Sequence, residues 1–323
     1  MSAGEEWRPS AARARLVARA ELLARTRAFF AARGVLEVDT PLIVNSPVSD
    51  VHIHSARVDL GAGHGGAPGA HFLHTSPEYA MKRLLAAGSG DIYQVCHVAR
   101  GYERGRMHNP EFTLIEWYRT GFSLAQLMDE VGALVQLLSG ARPVERLSYA
   151  QVFARELRLD PFAAPLAELR DAAAAAGFAA AADAHRDELL ELLMGAVIGP
   201  RLGRAGLTFI HGYPAAQAAL ARLDPHDPRA AERFELYAGG MELANGFHEL
   251  ASASEQRQRF EADNAERRRR GLPVHALDEN LLAALASGLP DCAGVALGFD
   301  RTVMLATGAE HIDEVLAFPT VRA

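Results

Sequence analysis

The hydrophobic pattern at the start of the chain predicts a helix followed by a strand. Leucine and phenylalanine recur at helical spacing over residues 11–33, and Gly34 is a natural end for such a helix. An apolar run over residues 35–40 then reads as a strand that Pro41 closes. We expect an amphipathic helix that packs on its own sheet.

A second pattern predicts a hairpin with an unusually long connection. Strand-like runs cover residues 91–98 and 111–119, and a loop rich in glycine and arginine, residues 101–109, separates them. Ordinary hairpins turn in two to five residues. A loop of this length and positive charge indicates that it closes over an anionic ligand.

The strand over residues 111–119 has two different faces. Because side chains alternate, one face carries Phe112, Leu114, Glu116 and Tyr118. The other face carries Thr113, Ile115 and Trp117 and is apolar enough to be the core side. The acidic face therefore either meets solvent or lines a pocket.

The middle of the chain changes to helical spacing. Residues 123–204 are rich in leucine, alanine and glutamate, and we expect a helical insertion of about these bounds. Strand character resumes at residues 207–211 and 233–237. Ser76 is predicted to cap a helix that begins near Tyr79, with Pro77 at its first position.

Two later segments carry candidate chemistry. Glu242 and Glu249 stand on either side of Asn245–Gly246, which we interpret as a turn that folds the two carboxylates together. A strongly charged helix is expected over residues 255–270. The glycine-rich residues 61–70 lack the strand and helix context of a phosphate loop and are predicted to connect a hairpin.

Composition narrows the class of protein. With 323 residues and 49% hydrophobic content, the chain can bury one large core or two modest ones. It has no apolar run long enough for a membrane span, and residues 1–15 are interpreted as a short polar segment rather than a signal peptide. Its two cysteines fit a reducing cytoplasm. The net charge of −7 argues against a large nucleic-acid footprint. Lys82 is the only lysine, which we attribute to genome composition.

Three segments resemble the motifs of class II aminoacyl-tRNA synthetases, in the order that family has them. Residues 29–41 are similar to motif 1, residues 106–113 to motif 2 of the lysyl branch, and residues 294–301 to motif 3. The resemblance implies an α+β fold: a synthetase core with an antiparallel sheet flanked by helices, in one domain over residues 1–323, with the helical insertion between motifs 2 and 3.

The resemblance also implies a site for ATP and Mg²⁺. Arg100 would hold the α-phosphate and the substrate carboxylate, and Arg301 the γ-phosphate, as the two catalytic residues. Glu242 and Glu249 would hold Mg²⁺, and Phe112 would stack on adenine. The other implied ATP-binding residues are Gly101, Tyr102, Glu103, His108, Asn109, Leu243 and Gly298. No general base is needed, because the substrate carboxylate is already ionised at neutral pH.

The implied amino-acid pocket is acidic. Its residues are Ser76, Pro77, Glu78, Glu116, Tyr118, Glu249 and Ala296. Buried carboxylates without a cationic ligand are costly, so this set favours lysine or a close analogue. Ala296 replaces the middle glycine of motif 3, and a methyl group is worth ~1–3 kcal/mol of discrimination. It favours an analogue with a shifted amine, such as (R)-β-lysine.

One segment departs from the family pattern. The family has Arg-x-Glu at the start of the motif 2 loop, whereas this chain has Arg100-Gly101-Tyr102-Glu103. Either Glu103 takes the adenine-binding role by a shift of one residue, or Tyr102 occupies that place.

Motif 1 begins within the first forty residues, so we expect no anticodon-binding domain. The chain is similar to a group of stand-alone lysyl-tRNA synthetase paralogues. That likeness implies an ATP-dependent, AMP-forming ligase that joins (R)-β-lysine or lysine to a lysine of elongation factor P in the cytoplasm, without a membrane, and tRNA is not the expected acceptor. In the resembled family the first helix and strand, residues 11–33 and 35–40 here, form the dimer interface, so a homodimer is also implied. The alternatives are a truncated synthetase that acts on tRNA or a small acceptor, and a non-catalytic regulator. Intact Arg100, Glu242, Glu249 and Arg301 argue against the regulator.

Overall fold

A computed structural model describes residues 7–61, 70–179 and 184–323. The helices of these residues are α1 (Arg13–Ala31), α2 (Glu78–Ala86), α3 (Leu124–Ser139), α4 (Tyr149–Leu157), α5 (Leu166–Ala175), α6 (Arg186–Leu192), α7 (Ala253–Arg269), α8 (Glu279–Gly288) and α9 (Phe299–Thr307). The strands are β1 (Leu36–Glu37), β2 (Ile43–Val44), β3 (Arg57–Val58), β4 (His71–Leu73), β5 (Ile92–Ala99), β6 (Glu111–Thr120), β7 (Val144–Ser148), β8 (Leu207–Pro214), β9 (Ala230–Ala238), β10 (Met241–His248) and β11 (Cys292–Gly298).

Eight of these strands form one large sheet in the order β1-β5-β6-β11-β10-β9-β8-β7. The pairs β1–β5 and β7–β8 at the two edges are parallel, and every pair between them is antiparallel. The predicted hairpin is formed by β5 and β6. The mostly antiparallel sheet with flanking helices confirms the predicted fold class.

The two faces of β6 meet different surroundings, as the alternating pattern predicts. Ile115 and Trp117 are fully buried in the main hydrophobic core, where α1, α3 and α9 cover one face of the sheet. Phe30 of α1 stacks on this core beside Tyr93 and Trp117. The opposite face of the sheet is left for a cavity, with α2, α7 and α8 beside it.

The insertion between the second and third motifs is less uniform than the sequence predicts. Residues 149–202 have a separate hydrophobic cluster built from α4, α5, α6, a π-helical turn at Leu193–Ile198 and the sheet. However, β7 lies within the predicted helical range and adds a strand to the sheet edge. In addition, α3 packs on the main core. The five residues of β7 lie between helices α3 and α4, so the helical spacing on both sides led to a helical prediction for the whole segment.

The predicted turn at Asn245–Gly246 is wrong, because both residues lie inside the continuous strand β10. Gly246 is needed there for close packing. A β-carbon at this position would lie 2.5 Å from ring atoms of Phe234, its partner on β9. A glycine inside a strand often marks such a close approach.

Two further findings bear on the sequence predictions. No helix of the described residues is long and apolar enough to cross a membrane. Strands β3 and β4 pair antiparallel on either side of the predicted connection 61–70, of which residues 62–69 lie outside the described residues.

Replacing Gly246 by Ala tests the packing of β10. We expect the free energy of unfolding to fall by about 1–3 kcal/mol, because the added methyl overpacks the ring of Phe234. Urea denaturation measures the change. Gly195→Ala is the matched control, since nothing lies within 4 Å of a β-carbon there. Equal stability of the two variants would contradict the packing role of Gly246.

Candidate active site

The site lies in a cavity of about 760 Å³ whose floor is the free face of the sheet. The pairing register of β6, β11 and β10 determines which side chains form this floor. Glu116 of β6 pairs with Ala296 of β11, which pairs with Asn245 of β10. Paired residues of antiparallel strands project to the same face, so these three side chains form one row. The cavity is within the usual size range for small-molecule sites.

The next row of paired residues on the same face of the sheet shows why β11 has glycine at position 294. Tyr118 of β6 pairs with Gly294, which pairs with Phe247 of β10. A β-carbon at Gly294 would lie 2.4 Å from the Tyr118 ring and 2.5 Å from Oε1 of Glu249. The missing side chain allows this phenol and this carboxylate to share one end of the cavity.

Glu116 is the centre of the acidic end. Its Oε2 accepts a hydrogen bond of 2.8 Å from Ser76 Oγ, and its Oε1 accepts one of 2.7 Å from Tyr118 Oη. Burial and, second to it, the nearby charge of Glu78 raise the pKa of Glu116 to about 8. A buried carboxylate that receives only neutral donors is suited to a cationic ligand.

Lys82 joins the other two carboxylates of this end. Its Nζ lies 2.7 Å from Oε1 of Glu78 and 2.6 Å from Oε2 of Glu249. Burial lowers the pKa of Lys82, but the charges of Glu249 and Glu78 outweigh burial and hold that pKa above its usual value. Lys82 therefore stays protonated. The sequence analysis attributed this single lysine to genome composition and did not predict its contacts with Glu78 and Glu249.

The start of α2 differs by one residue from the prediction. Pro77, rather than Ser76, is the residue that precedes the first helical residue, Glu78. Ser76 still accepts a 3.0 Å hydrogen bond from the backbone N–H of Glu78 while it donates to Glu116. The serine therefore connects the helix start to the acidic end.

At the other end of the cavity, Arg301 of α9 is held by neutral groups. Its Nη1 donates to the Glu242 carbonyl at 2.7 Å, its Nε to the Met107 carbonyl at 3.1 Å, and its Nη2 to His108 Nε2 at 2.7 Å. No carboxylate of the described residues forms an ion pair with it. A guanidinium fixed in this way is suited to bidentate contact with phosphate.

His108 is kept neutral by its surroundings. Burial and, second to it, the charges of Arg301 and Arg100 lower the pKa of His108 to about 4. Its Nε2 therefore remains an acceptor for Arg301 at neutral pH.

Arg100 lies at the junction between the two ends. Its Nε donates to the Thr75 carbonyl at 3.4 Å, and its guanidinium carbon is 5.1 Å from the centre of the Phe112 ring. Arg104 and Arg106 of the same loop do not line the cavity. Arg104 instead pairs with both carboxylate oxygens of Asp313, at 2.8 and 2.7 Å, which ties the loop to the C-terminal segment.

Tyr102 and Glu103, the two candidates for the adenine contact in the motif 2 loop, have different surroundings. Glu103 lines the cavity, whereas Tyr102 is 92% exposed and rests against the His54 ring. Tyr102 has φ = 65°, in the left-handed region, and this conformation turns the residue outward. This geometry favours Glu103 for the predicted contact with adenine.

The two predicted metal ligands have different neighbours. The pKa of Glu242 is raised to about 7 by burial and by the charge of Glu235, while the charge of Arg301 opposes that rise. Glu249 is instead engaged by Lys82. A hard cation fits Glu242 in this setting, with most of its ligands supplied by phosphate and water. Within the described residues no group of three acidic, histidine or cysteine side chains is placed to hold a metal.

The cavity brings together most of the predicted site residues. Those that line it are Ser76, Glu78, Arg100, Glu103, His108, Asn109, Phe112, Glu116, Tyr118, Glu242, Leu243, Glu249, Ala296, Gly298 and Arg301. Pro77, Gly101 and Tyr102 do not line it.

Several lining residues had no sequence signal that we recognised. Arg233 and Gln256 line the cavity from β9 and α7, and Glu191 from α6 in the insertion. Period-two spacing places Arg233 on the same face of β9 as Glu235, to which it donates a 2.6 Å hydrogen bond. The place of α6 beside the cavity depends on tertiary packing, which no local pattern shows.

Comparison with known proteins shows the family to which the chain belongs. The chain matches the model of the family "tRNA synthetases class II (D, K and N)" over residues 6–322, and it therefore belongs to that family. Relatives from Salmonella paratyphi B (strain ATCC BAA-1250 / SPB7), Salmonella schwarzengrund (strain CVM19633) and Salmonella heidelberg (strain SL476) are each 50% identical to it, with 100% of both chains covered. Each of these three proteins is named elongation factor P–(R)-β-lysine ligase.

Replacement of His108 by Gln tests the neutral imidazole. The pKa of His108 is about 4 in the folded chain, which is lower than the usual value of ~6.5 in an unfolded chain. Between about pH 6.5 and 4 the unfolded state therefore binds a proton at His108 that the native state does not bind. The native state loses stability as the pH falls through this range. His108→Gln keeps an acceptor for Arg301 and should lose less stability over this range.

Urea unfolding at pH 7 and pH 5 measures this effect in both proteins. The difference in unfolding free energy between them should move in favour of the variant at pH 5. A difference that is the same at both pH values would show that His108 titrates normally.

Proposed function

We propose that this protein is an ATP-dependent ligase that activates (R)-β-lysine or lysine as the aminoacyl-adenylate and transfers it to a lysine side chain of elongation factor P. The observation that carries the proposal is one cavity with two chemically opposite ends. Arg301 provides positive charge at one end, Arg100 provides it at the junction, and Glu78, Glu116 and Glu249 provide negative charge at the other end. The relatives' names supply the acceptor and the β-amino acid.

The opposite ends orient the substrate. A diamino acid would place its ammonium groups among the three carboxylates and its carboxylate towards Arg100. The α-phosphate of ATP would meet this carboxylate at the same guanidinium, which offsets the repulsion between the two anions. Arg301 would hold the γ-phosphate and Glu103 the adenine, beside the ring of Phe112. Catalysis then comes from positioning and electrostatics.

ATP would be accompanied by Mg²⁺, for which Glu242 is the best-placed carboxylate, and Glu249 stays a predicted second ligand. The metal would neutralise phosphate charge when bound. We also propose a homodimer, since Val17 on α1 and Leu36 on β1, the predicted interface elements, are exposed in the single chain at 41% and 56%. The proposed acceptor is a translation factor, which places the reaction in the cytoplasm.

The decisive experiment combines ATP–pyrophosphate exchange with mass measurement of the acceptor. We expect exchange with lysine and (R)-β-lysine, either equally or with the β isomer preferred, because Ala296 reshapes the floor beside Glu116. Elongation factor P should then gain the mass of one lysyl group. If lysine becomes attached to tRNA and elongation factor P stays unmodified, the proposed acceptor is wrong.

Removal of the Arg301 guanidinium tests the phosphate end. Arg301→Ala should reduce exchange by about 100-fold or more, the range observed when one charge-stabilising donor is lost. Arg301→Lys should recover only part of the activity, because an ammonium cannot make the bidentate contact. Arg155→Ala, a surface arginine of α4 that pairs with Glu145, serves as the control and should keep full exchange. Normal exchange in Arg301→Ala would show that the phosphate end is wrongly placed.

A further inference from the structure

The chain's single lysine is placed where arginine would not serve. Every other basic side chain among the 33 lysines and arginines is arginine, so composition alone would favour arginine at position 82 as well. Lys82 is 1% exposed and bridges two carboxylates at 2.6 and 2.7 Å. A compact ammonium with three donors fits such a bridge, whereas a planar guanidinium needs more room. The position therefore requires lysine for a physical reason.

Lys82 acts on the cavity without facing it. Glu78, Glu116 and Glu249 line the cavity, whereas Lys82 is buried, does not line it, and contacts Glu78 and Glu249. It lies one helical turn after Glu78, which puts the two side chains on the same face of α2. Any influence of Lys82 on a ligand must pass through these carboxylates.

The charges of this end can be counted. Three carboxylates face the cavity, and Lys82 is the one cation of the described residues in ion-pair contact with them. The side-chain contacts of Glu116, from Ser76 and Tyr118, are neutral. In the occupied cavity an ammonium group beside Glu116 offsets the rise in pKa that burial causes, so all three carboxylates can be ionised. Three negative charges and the one positive charge of Lys82 then leave two negative charges for the ligand to balance. A ligand with two ammonium groups brings the cluster to neutrality.

We propose that Lys82 is a positioning residue that sets the net charge of this end of the cavity, so that it selects ligands with two ammonium groups. The inference rests on the proposed function for the class of substrate. A ligand with one ammonium group leaves a buried carboxylate without a counter-charge, which is costly. Lys82 also fixes the side chains of Glu78 and Glu249 before the ligand arrives, which lowers the entropy lost on binding.

A charge-balanced pair of variants tests the proposal. Lys82→Met removes the ammonium but keeps an unbranched apolar side chain. The double variant Lys82→Met/Glu78→Gln removes one charge of each sign and restores the original net charge. Binding of lysine and of norleucine, its analogue with a single amine, is measured by titration calorimetry without ATP or acceptor.

We expect Lys82→Met to bind lysine about 30-fold more weakly, because Glu78 and Glu249 without their shared cation repel each other or take up a proton, and the ligand must reverse this to bind. The double variant should bind lysine more tightly than Lys82→Met, although it has lost a further polar group. A purely structural role predicts the reverse order, and that result would overturn the proposal. In pyrophosphate exchange, the KM for lysine should rise while the KM for ATP stays the same.

Glu130→Gln is the matched control for destabilisation. Glu130 is a buried acid that pairs with Arg119 and does not line the cavity. This variant should lower the melting temperature and leave lysine affinity unchanged. If Glu130→Gln weakens lysine binding as much as Lys82→Met does, the effect at Lys82 is general destabilisation and the proposal fails.

The wild-type protein offers a readout that needs no variant. Because the chain has one lysine, labelling with ¹⁵N-lysine gives a single side-chain signal, that of Lys82. Saturating unlabelled lysine should shift this signal, since the ligand's ammonium groups share Glu78 and Glu249 with it, and norleucine should shift it far less. A signal that does not respond to bound lysine would overturn the inference. Failure of the wild-type protein to bind lysine or (R)-β-lysine would instead overturn the proposed function.

Discussion

Several carboxylates share one buried end of a cavity, and the surrounding structure must make this arrangement tolerable. Isolated buried charges cost several kcal/mol each, so the fold needs partners for them. Glu116 receives donors from Ser76 and Tyr118, and Glu249 receives the ammonium of Lys82. These partners come from β6, from α2 and from Ser76 just before α2, which are separate segments of the sequence. The central antiparallel sheet brings them together.

The same sheet separates the stabilising and the functional parts of each strand. On β6, Ile115 and Trp117 belong to the main core, while Glu116 and Tyr118 face the cavity. The large core on one face holds the strands in register. Register in turn decides which side chains form each row of the cavity floor. A shift of one residue would move Glu116 into the core and Trp117 into the cavity.

Much of this arrangement could be predicted from the sequence, because it follows from local patterns. Period-two alternation identified both faces of β6, and the motif segments led to Arg100, Arg301 and the acidic end. Other features depend on contacts between distant residues. Asn245–Gly246 has the composition of a turn, but a strand forms there because Gly246 allows the Phe234 ring to approach. Strand β7 gains its structure from pairing with β8, and the role of Lys82 depends on Glu249, which lies on another element.

The burial of Lys82 has a chemical consequence for the enzyme's own surface. An aminoacyl-adenylate is a mixed anhydride that reacts with unprotonated amines, and lysine side chains are the usual targets in proteins. Here the only lysine is sealed inside the fold and kept protonated by two carboxylates. No lysine of the chain can therefore intercept the activated intermediate. The fold thus keeps the one lysine of this sequence from competing with the acceptor in the proposed transfer.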